Sequence, residues 1–207
     1  MLLTMKKGER RMANSTGNVS VGKPKIGGAI HYAPVGTELP NSVTAELDTA
    51  FSAMGYISDD GVTNSSNIES EKIKAWGGDV VLAIQTGKED TFQFALIESL
   101  NENVLKAVHN AENVSGSLST GITIKVNGTE QSQAAWVIDM IMTNGILKRI
   151  VIPKGQISEI GDVVYKEDTP VSYEITLTCL PDENENTHYE YIQNPKSSGE
   201  SGGGEGE

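Results

Sequence analysis

The side chains best suited to chemistry are three histidines, one cysteine and two acidic clusters, and their spacing decides what they can do. His31 alternates with Ile30 and Tyr32 in an extended stretch, His109 ends a helical one, and His188 lies in an acidic segment. No pair has metal-binding spacing such as His-Glu-x-x-His. Cys179 is the sole cysteine, so no intramolecular disulfide can form. Its place in an alternating stretch predicts a buried, inert thiol and not a nucleophile. Gly22-Lys23 and Gly87-Lys88 lack the hydroxyl that must follow in a phosphate-binding loop, and no Gly-x-Ser-x-Gly elbow occurs. Asp59-Asp60 and the Asp182–Glu185 cluster could hold a loose Ca²⁺, although solvated turn carboxylates are the commoner reading. The sequons at Asn14, Asn18, Asn64, Asn113 and Asn127 show only that the chain is rich in Asn, Ser and Thr. The reading is a protein that works by packing, with no catalytic residues, no cofactor and no metal.

Charge supports this. The 207 residues carry a formal charge of -12, unevenly spread. Residues 1–11 have a net charge of +3 from Lys6, Lys7, Arg10 and Arg11 against Glu9, and residues 182–207 have -6, leaving -9 on the body. Affinity for phosphates comes from Lys and Arg, so a body this acidic is a poor candidate for gripping nucleic acid, though acidity could serve a protein that DNA must pass without sticking. The plainer reading is that the charge keeps the protein soluble. Few aromatics and no basic-aromatic stripe argue against a stacking platform for single strands. No apolar run reaches the length of a membrane span.

The ends read as lying outside the fold. Lys6–Arg11 precedes Met12, and purine-rich codons for it would contain a ribosome-binding site, so translation is expected to begin at Met12 and residues 1–11 to be a non-native or disordered extension. Residues 12–27 read as an N-terminal arm and 28–181 as one β domain. Residues 182–207 read as an acidic, Gly/Ser-rich flexible tail.

Inside the body, Gly28–Pro34 predicts a strand closed by Pro34 and Gly36. Val43, Leu47, Ala50, Phe51 and Met54 fall on one helical face, predicting a short helix over Ser42–Met54 that stops at Gly55. Asp59-Asp60-Gly61 predicts a turn. Ile68–Trp76 reads as extended and polar, and Val80–Thr86 and Thr91–Ile97 as strands joined by a loop at Thr86–Asp90. A second helix is expected over Leu100–His109, with Ser99 and Glu102 as a capping box. Ile122–Val126, Trp136–Met142 and Tyr173–Cys179 alternate as strands, and Asn144-Gly145 predicts a type I′ hairpin into Ile146–Ile152. Eight or so strands with two short helices predict a mainly β fold: an antiparallel β-sandwich or partly closed barrel with flanking helices. Trp136 reads as core, whereas Trp76, beside Gly77-Gly78, reads equally as core or as a contact anchor.

Three stretches together resemble a known family. They are Gly28-Ala-Ile-His-Tyr-Ala-Pro-Val-Gly-Thr-Glu-Leu-Pro40, Leu47-Asp-Thr-Ala-Phe-Ser-Ala-Met-Gly-Tyr-Ile-Ser-Asp-Asp-Gly61, and Lys74-Ala-Trp-Gly-Gly-Asp-Val-Val81 followed by Gln85-Thr86 and Thr91–Glu98. Their order resembles the major tail (tail tube) protein of long, non-contractile-tailed phages of Gram-positive hosts. The resemblance implies a β-sandwich protomer whose inner strands join a hexameric barrel. Rings stack into a tube around a tape-measure protein, ended by terminator and tail-tip proteins, and DNA passes through an acidic lumen. It implies inter-subunit or inter-ring contacts at Asp59, Asp60, Asn64, Ile68, Trp76, Gly77 and Gly78, with Asp59–Glu69 a long loop that orders on assembly. It implies lumen positions at Glu69, Glu71, Gln85, Thr91 and Gln93. In some relatives an immunoglobulin-like domain follows a Gly-rich linker like this one. The competing class is a β-sandwich binding module, a capsid decoration or adhesin-like protein, which the low aromatic content disfavours as a sugar binder.

Overall fold

The computed structural model describes residues 14–25 and 28–195. The elements in chain order are β1 (Gly22–Pro24), β2 (Ile30–Pro34), β3 (Ser52–Ala53), β4 (Ile57–Lys74), β5 (Val80–Leu96), α1 (Glu102–His109), β6 (Val114–Ser117), β7 (Gly121–Ile124), β8 (Gln133–Met142), β9 (Leu147–Ile160), β10 (Tyr173–Leu180) and β11 (Tyr189–Gln193). Nine strands form one antiparallel sheet in the order β3-β2-β8-β9-β10-β5-β4, with β1 also on β8 and β11 also on β9. β6 and β7 form a separate hairpin.

Alternation explains the core. Phe92, Phe94 and Leu96 of β5 and Tyr173, Ile175, Leu177 and Cys179 of β10 turn to one face, where they meet Trp136, Ile138, Ile150 and Ile152. Val104, Leu105 and Val108 of α1, Val114 of β6, and Ile122 and Ile124 of β7 close that face from the other side. The result is a sandwich of one large sheet against a helix and a hairpin, with no closed barrel. Burying each such side chain contributes about 1.5–3 kcal/mol. Trp136 is at the centre, its ring edge-on to Tyr32 at 5.0 Å and to Phe94 at 6.0 Å. Burial pushes the Cys179 thiol up to about 12, and nearby Asp90 adds to this, as expected of an inert cysteine.

The central strands are covered on their reverse face too. Ala33, Ala135, Val137, Val151 and Val43 are buried there, outside the main cluster. Asp139 and Arg149 form a cross-strand pair on the same face. Arg149 Nε donates to Asp139 Oδ1 at 2.6 Å and Nη2 to Oδ2 at 2.8 Å. Its Nη1 donates to the carbonyls of Ser42 (2.9 Å) and Ala45 (2.7 Å).

Those last bonds explain the main correction. No helix forms over Ser42–Met54; the segment is a run of turns ending in β3. The carbonyls of Ser42 and Ala45 accept from Arg149. Ser42 Oγ accepts from the Ala45 amide and Asp48 Oδ1 from the Ala50 amide. Side chains that bond nearby backbone compete with helix in this way. The second helix is present but shorter than expected. Its cap is Asn101, whose Oδ1 accepts from the Asn103 amide at 3.0 Å, and Leu100 is exposed.

Two turn expectations are also corrected. Thr86–Asp90 is no loop: β5 runs through it, with Thr86 a single-residue bulge between the pairs Glu69↔Gly87 and Ser70↔Gln85. The hairpin turns at Ala75–Asp79, where Gly77 (φ 118°) and Gly78 (φ 99°) adopt left-handed backbone. Asp59-Asp60-Gly61 is a bulge within β4, between the pairs Ile57↔Leu96 and Val62↔Phe94. Asp59–Glu69 is therefore strand, not a free loop. Asn144 (φ 63°) and Gly145 (φ 77°) make the expected β8–β9 hairpin. The segment from Asp182 departs from the expected flexible tail, because β11 pairs with β9 from Tyr189↔Val151 to Gln193↔Leu147. Residues 1–11 and the Gly/Ser-rich end lie outside the described residues.

Gly155 lies under the central ring, and a Cβ there would come within 2.8 Å of Trp136 and 3.0 Å of Leu177. Gly155→Ala should therefore destabilise the fold by about 1–3 kcal/mol through overpacking, measured by urea unfolding.

Candidate assembly surface

β4 and β5 are much longer than the sheet they join. β10 pairs with β5 only from Leu96 to Asp90. Beyond that point, among the described residues, the two strands have only each other, and the ribbon 67–89 extends roughly 25 Å at ~3.3 Å per residue. Ile68, Ile73, Val80, Val81, Leu82 and Ile84 are exposed along it, and Trp76 is fully exposed at the tip.

The register assigns faces. Ile73↔Leu82 and Glu71↔Ile84 stand opposite each other on one face, and Lys72↔Ala83 and Ser70↔Gln85 on the other. Following the first face down the sheet, Glu69, Asn67, Ser65 and Thr63 lie opposite Gly87, Glu89, Thr91 and Gln93. It continues through Glu174, Thr176 and Thr178 of β10 to Glu159 and Gln156 of β9. Gln93 Nε2 donates to Glu174 Oε1 at 2.9 Å across it. This face carries Glu69, Glu71, Glu89, Glu159 and Glu174, with only Lys154 at its far end. The ribbon's lysines, Lys72, Lys74 and Lys88, take the alternate positions. The charge is therefore segregated by strand alternation.

Of the positions expected to face a lumen, Glu69, Glu71, Thr91 and Gln93 share this acidic face. Gln85 does not, because the Thr86 bulge turns it to the other side. Of the expected contact positions, Trp76, Gly77 and Gly78 are together at the ribbon tip. Ile68 lies along the ribbon opposite Lys88, and Asn64 at its base donates to the Thr91 carbonyl at 3.1 Å. Asp59 and Asp60 sit in the bulge below, Asp60 accepting from Ser58 Oγ at 2.7 Å. Sequence reasoning missed Glu89, Glu159 and Glu174 as members of the acidic face. Glu174 was recoverable, since it alternates with Tyr173 and Ile175 in a clean strand.

The groups that could do chemistry are scattered into structural roles. His109 packs edge-on to Tyr173 at 5.6 Å and His188 edge-on to Phe92 at 5.3 Å. Burial lowers the pKa of His31, an effect that Asp139 opposes and Lys25 and Arg149 reinforce. Among the described residues no group of three or more His, Cys, Asp or Glu is placed to hold a metal ion. None of their helices is long and apolar enough to cross a membrane.

An antiparallel β-sandwich with a projecting apolar ribbon and a predominantly acidic face presents surfaces for packing, and among the described residues its histidines, cysteine and acids are not gathered into a site. The chain matches the model of the family described as phage tail tube protein over residues 12–201, nearly its whole length, and it belongs to that family. A search of the curated proteins finds no match to it. It is a structural component of a bacteriophage tail tube and so of the virion.

Two buried carboxylates, Asp139 and Asp90, depend on their partners. Arg149→Met would leave Asp139 buried with only the half-exposed Lys25 at 3.4 Å, and should cost about 3–5 kcal/mol in urea unfolding. Burial pushes the Asp90 carboxyl up, but hydrogen bonds from Ser66, Thr187 and Lys88, and the Lys88 charge, outweigh it and hold the pKa at about 2. Lys88, His188 and Cys179 are the titratable groups around it. An unfolded aspartate titrates near 3.9, so this stabilisation is complete above about pH 4 and is lost as pH falls through about 2. Asp90→Asn should remove it: the stability difference from wild type, measured by urea unfolding at several pH values, should shrink between pH 4 and 2.

Proposed function

We propose that six copies of this chain close into a ring, and that rings stack into the tube of a long, non-contractile tail, with the acidic face of β9–β10–β5–β4 turned to the lumen. The observation that carries this reading is the charge-segregated sheet face continuing into an apolar ribbon that has no further strand beside it among the described residues. A two-stranded hairpin is at best marginal in water by itself, so the ribbon needs neighbouring copies to cover Ile68 and Val80 on its non-acidic face and Trp76 at its tip. Ring closure would also pair the edges of β4 and β3, which otherwise invite uncontrolled strand addition. A wall bearing Glu69, Glu71, Glu89 and Glu174 repels phosphate, so DNA slides through without specific binding. The chain then acts without catalysis or cofactor. It assembles in the host cytoplasm around a tape-measure protein and meets terminator and tail-tip proteins at the tube's ends. Asp59, Asp60, Asn64, Ile68 and the Trp76–Gly78 turn supply contacts between subunits or rings.

Negative-stain microscopy of concentrated protein should show tubes or sixfold rings; a strictly monomeric protein at all concentrations would overturn the reading. Trp76 is fully exposed, so Trp76→Ala should leave the thermal midpoint within about 2 °C of wild type. It should raise the concentration needed for assembly by about tenfold or more, followed by sedimentation.

A further inference from the structure

We propose that residues Asp182–Gln193 form a strap that latches the base of the β4–β5 ribbon, with Asp90 as the catch, so that docking of the strap sets how firmly the ribbon is held. Asp90 is the last β5 residue paired with β10, opposite Cys179, and the ribbon leaves the sheet from there. Its side chain is fully buried, and one oxygen, Oδ2, gathers contacts from both partners. Lys88, two residues outward on the ribbon, donates to it at 2.9 Å. Thr187 Oγ1 of the strap donates to the same oxygen, and His188 Nδ1 stands 3.9 Å from it.

The strap is built to hold its own shape. Asp182 Oδ1 accepts from the amides of Asn184 (2.8 Å) and Asn186 (3.0 Å), and Asp182 Oδ2 from the Tyr189 hydroxyl (2.6 Å). Glu185 takes left-handed backbone to close the turn (φ 63°). Beyond it β11 adds to β9, with Lys148 and Glu190 paired at 2.9 Å. On undocking, Asp90 would regain water in exchange for Thr187 and His188. Opening gives up the β11–β9 pairing and the His188–Phe92 contact along with these hydrogen bonds, and β11, a short strand paired with β9 alone, is the kind of segment that opens before the whole fold does. A cleft of about 460 Å³ between Lys88-Glu89 and Glu185–His188 leaves room for the movement.

The latch is a property of the single protomer; only its consequence for tube assembly rests on the function proposed above. Hydrogen exchange of the full chain, wild type against Thr187→Val and Asp90→Asn, tests it. Both variants should exchange about tenfold faster in 182–193 and 147–151, and at least about threefold faster in 65–88, while α1 and β8 keep wild-type protection. If Asp90→Asn fails to fold, Thr187→Val alone decides. Faster exchange confined to the strap, or no change in either segment, overturns the latch. Coupled exchange in a wild-type protein that never forms tubes would leave the latch standing and sink the assembly reading; tubes without coupling would do the reverse.

Discussion

The constraint on which the structure turns is a mismatch of strand lengths. β5 begins at Val80, yet β10 supports it only from Asp90. Everything outward of Asp90 must be stabilised by one neighbouring strand or by another molecule. In a sheet that is covered on one face, polar and apolar residues alternate because one side is dry. In the ribbon neither side is dry within the chain. Its composition nevertheless stays apolar at Val80–Leu82, Ile84, Ile73 and Trp76. Apolar residues kept on a solvated ribbon are intelligible when the ribbon is an assembly element, which is what membership of the tail tube family implies.

The reverse face of the central strands is organised by the buried Asp139–Arg149 pair. The two residues sit opposite each other on the central hairpin and share a bidentate contact. The pair also organises the chain around it. The Asp139 amide donates to the Ala29 carbonyl at 2.7 Å, and its carbonyl accepts from the Lys25 amide at 3.2 Å, so the arm carrying β1 is tied where β2 begins. On its other side the guanidinium gathers the Ser42–Ala45 turn. A buried ion pair is not by itself a large source of stability. Its use here is to fix where two irregular segments lie on the reverse face of the sheet.

Much of this was legible in the sequence where one face of a strand is buried and the other wet. Thr91–Ile97, Tyr173–Cys179 and the Asn144-Gly145 hairpin are visible as strict alternation and as a turn dipeptide that tolerates left-handed backbone. The helix expected at Ser42–Met54 failed because its carbonyls bond Arg149, more than a hundred residues away, and no local pattern encodes that partner. Gly87-Lys88-Glu89 looks like a loop because periodicity vanishes where neither face is buried, and the polar type of the buried Asp90 hides where the dry face begins. Its polar residues serve the ribbon's base: Lys88 pairs with Asp90, which meets Thr187 of the strap, and Glu89 joins the acidic face. β11 was hidden for a different reason. Its Tyr189-Glu-Tyr-Ile-Gln alternation is short and lies in a segment whose overall composition is that of a linker. Of the acidic face, Glu69, Glu71, Thr91 and Gln93 were picked out together, whereas the single bulge at Thr86, which no local pattern announces, puts Gln85 on the opposite face.

The central claim is that strand alternation sorts the acids onto the wall of a channel. The most direct measurement is a side-chain-resolution electron cryomicroscopy reconstruction of the assembled tube or of the tail in intact virions. The account predicts Glu69, Glu71, Glu89 and Glu174 lining the lumen, with Trp76 buried against a neighbouring copy. Those glutamates on the outer surface or between rings, with Trp76 still exposed, would contradict it.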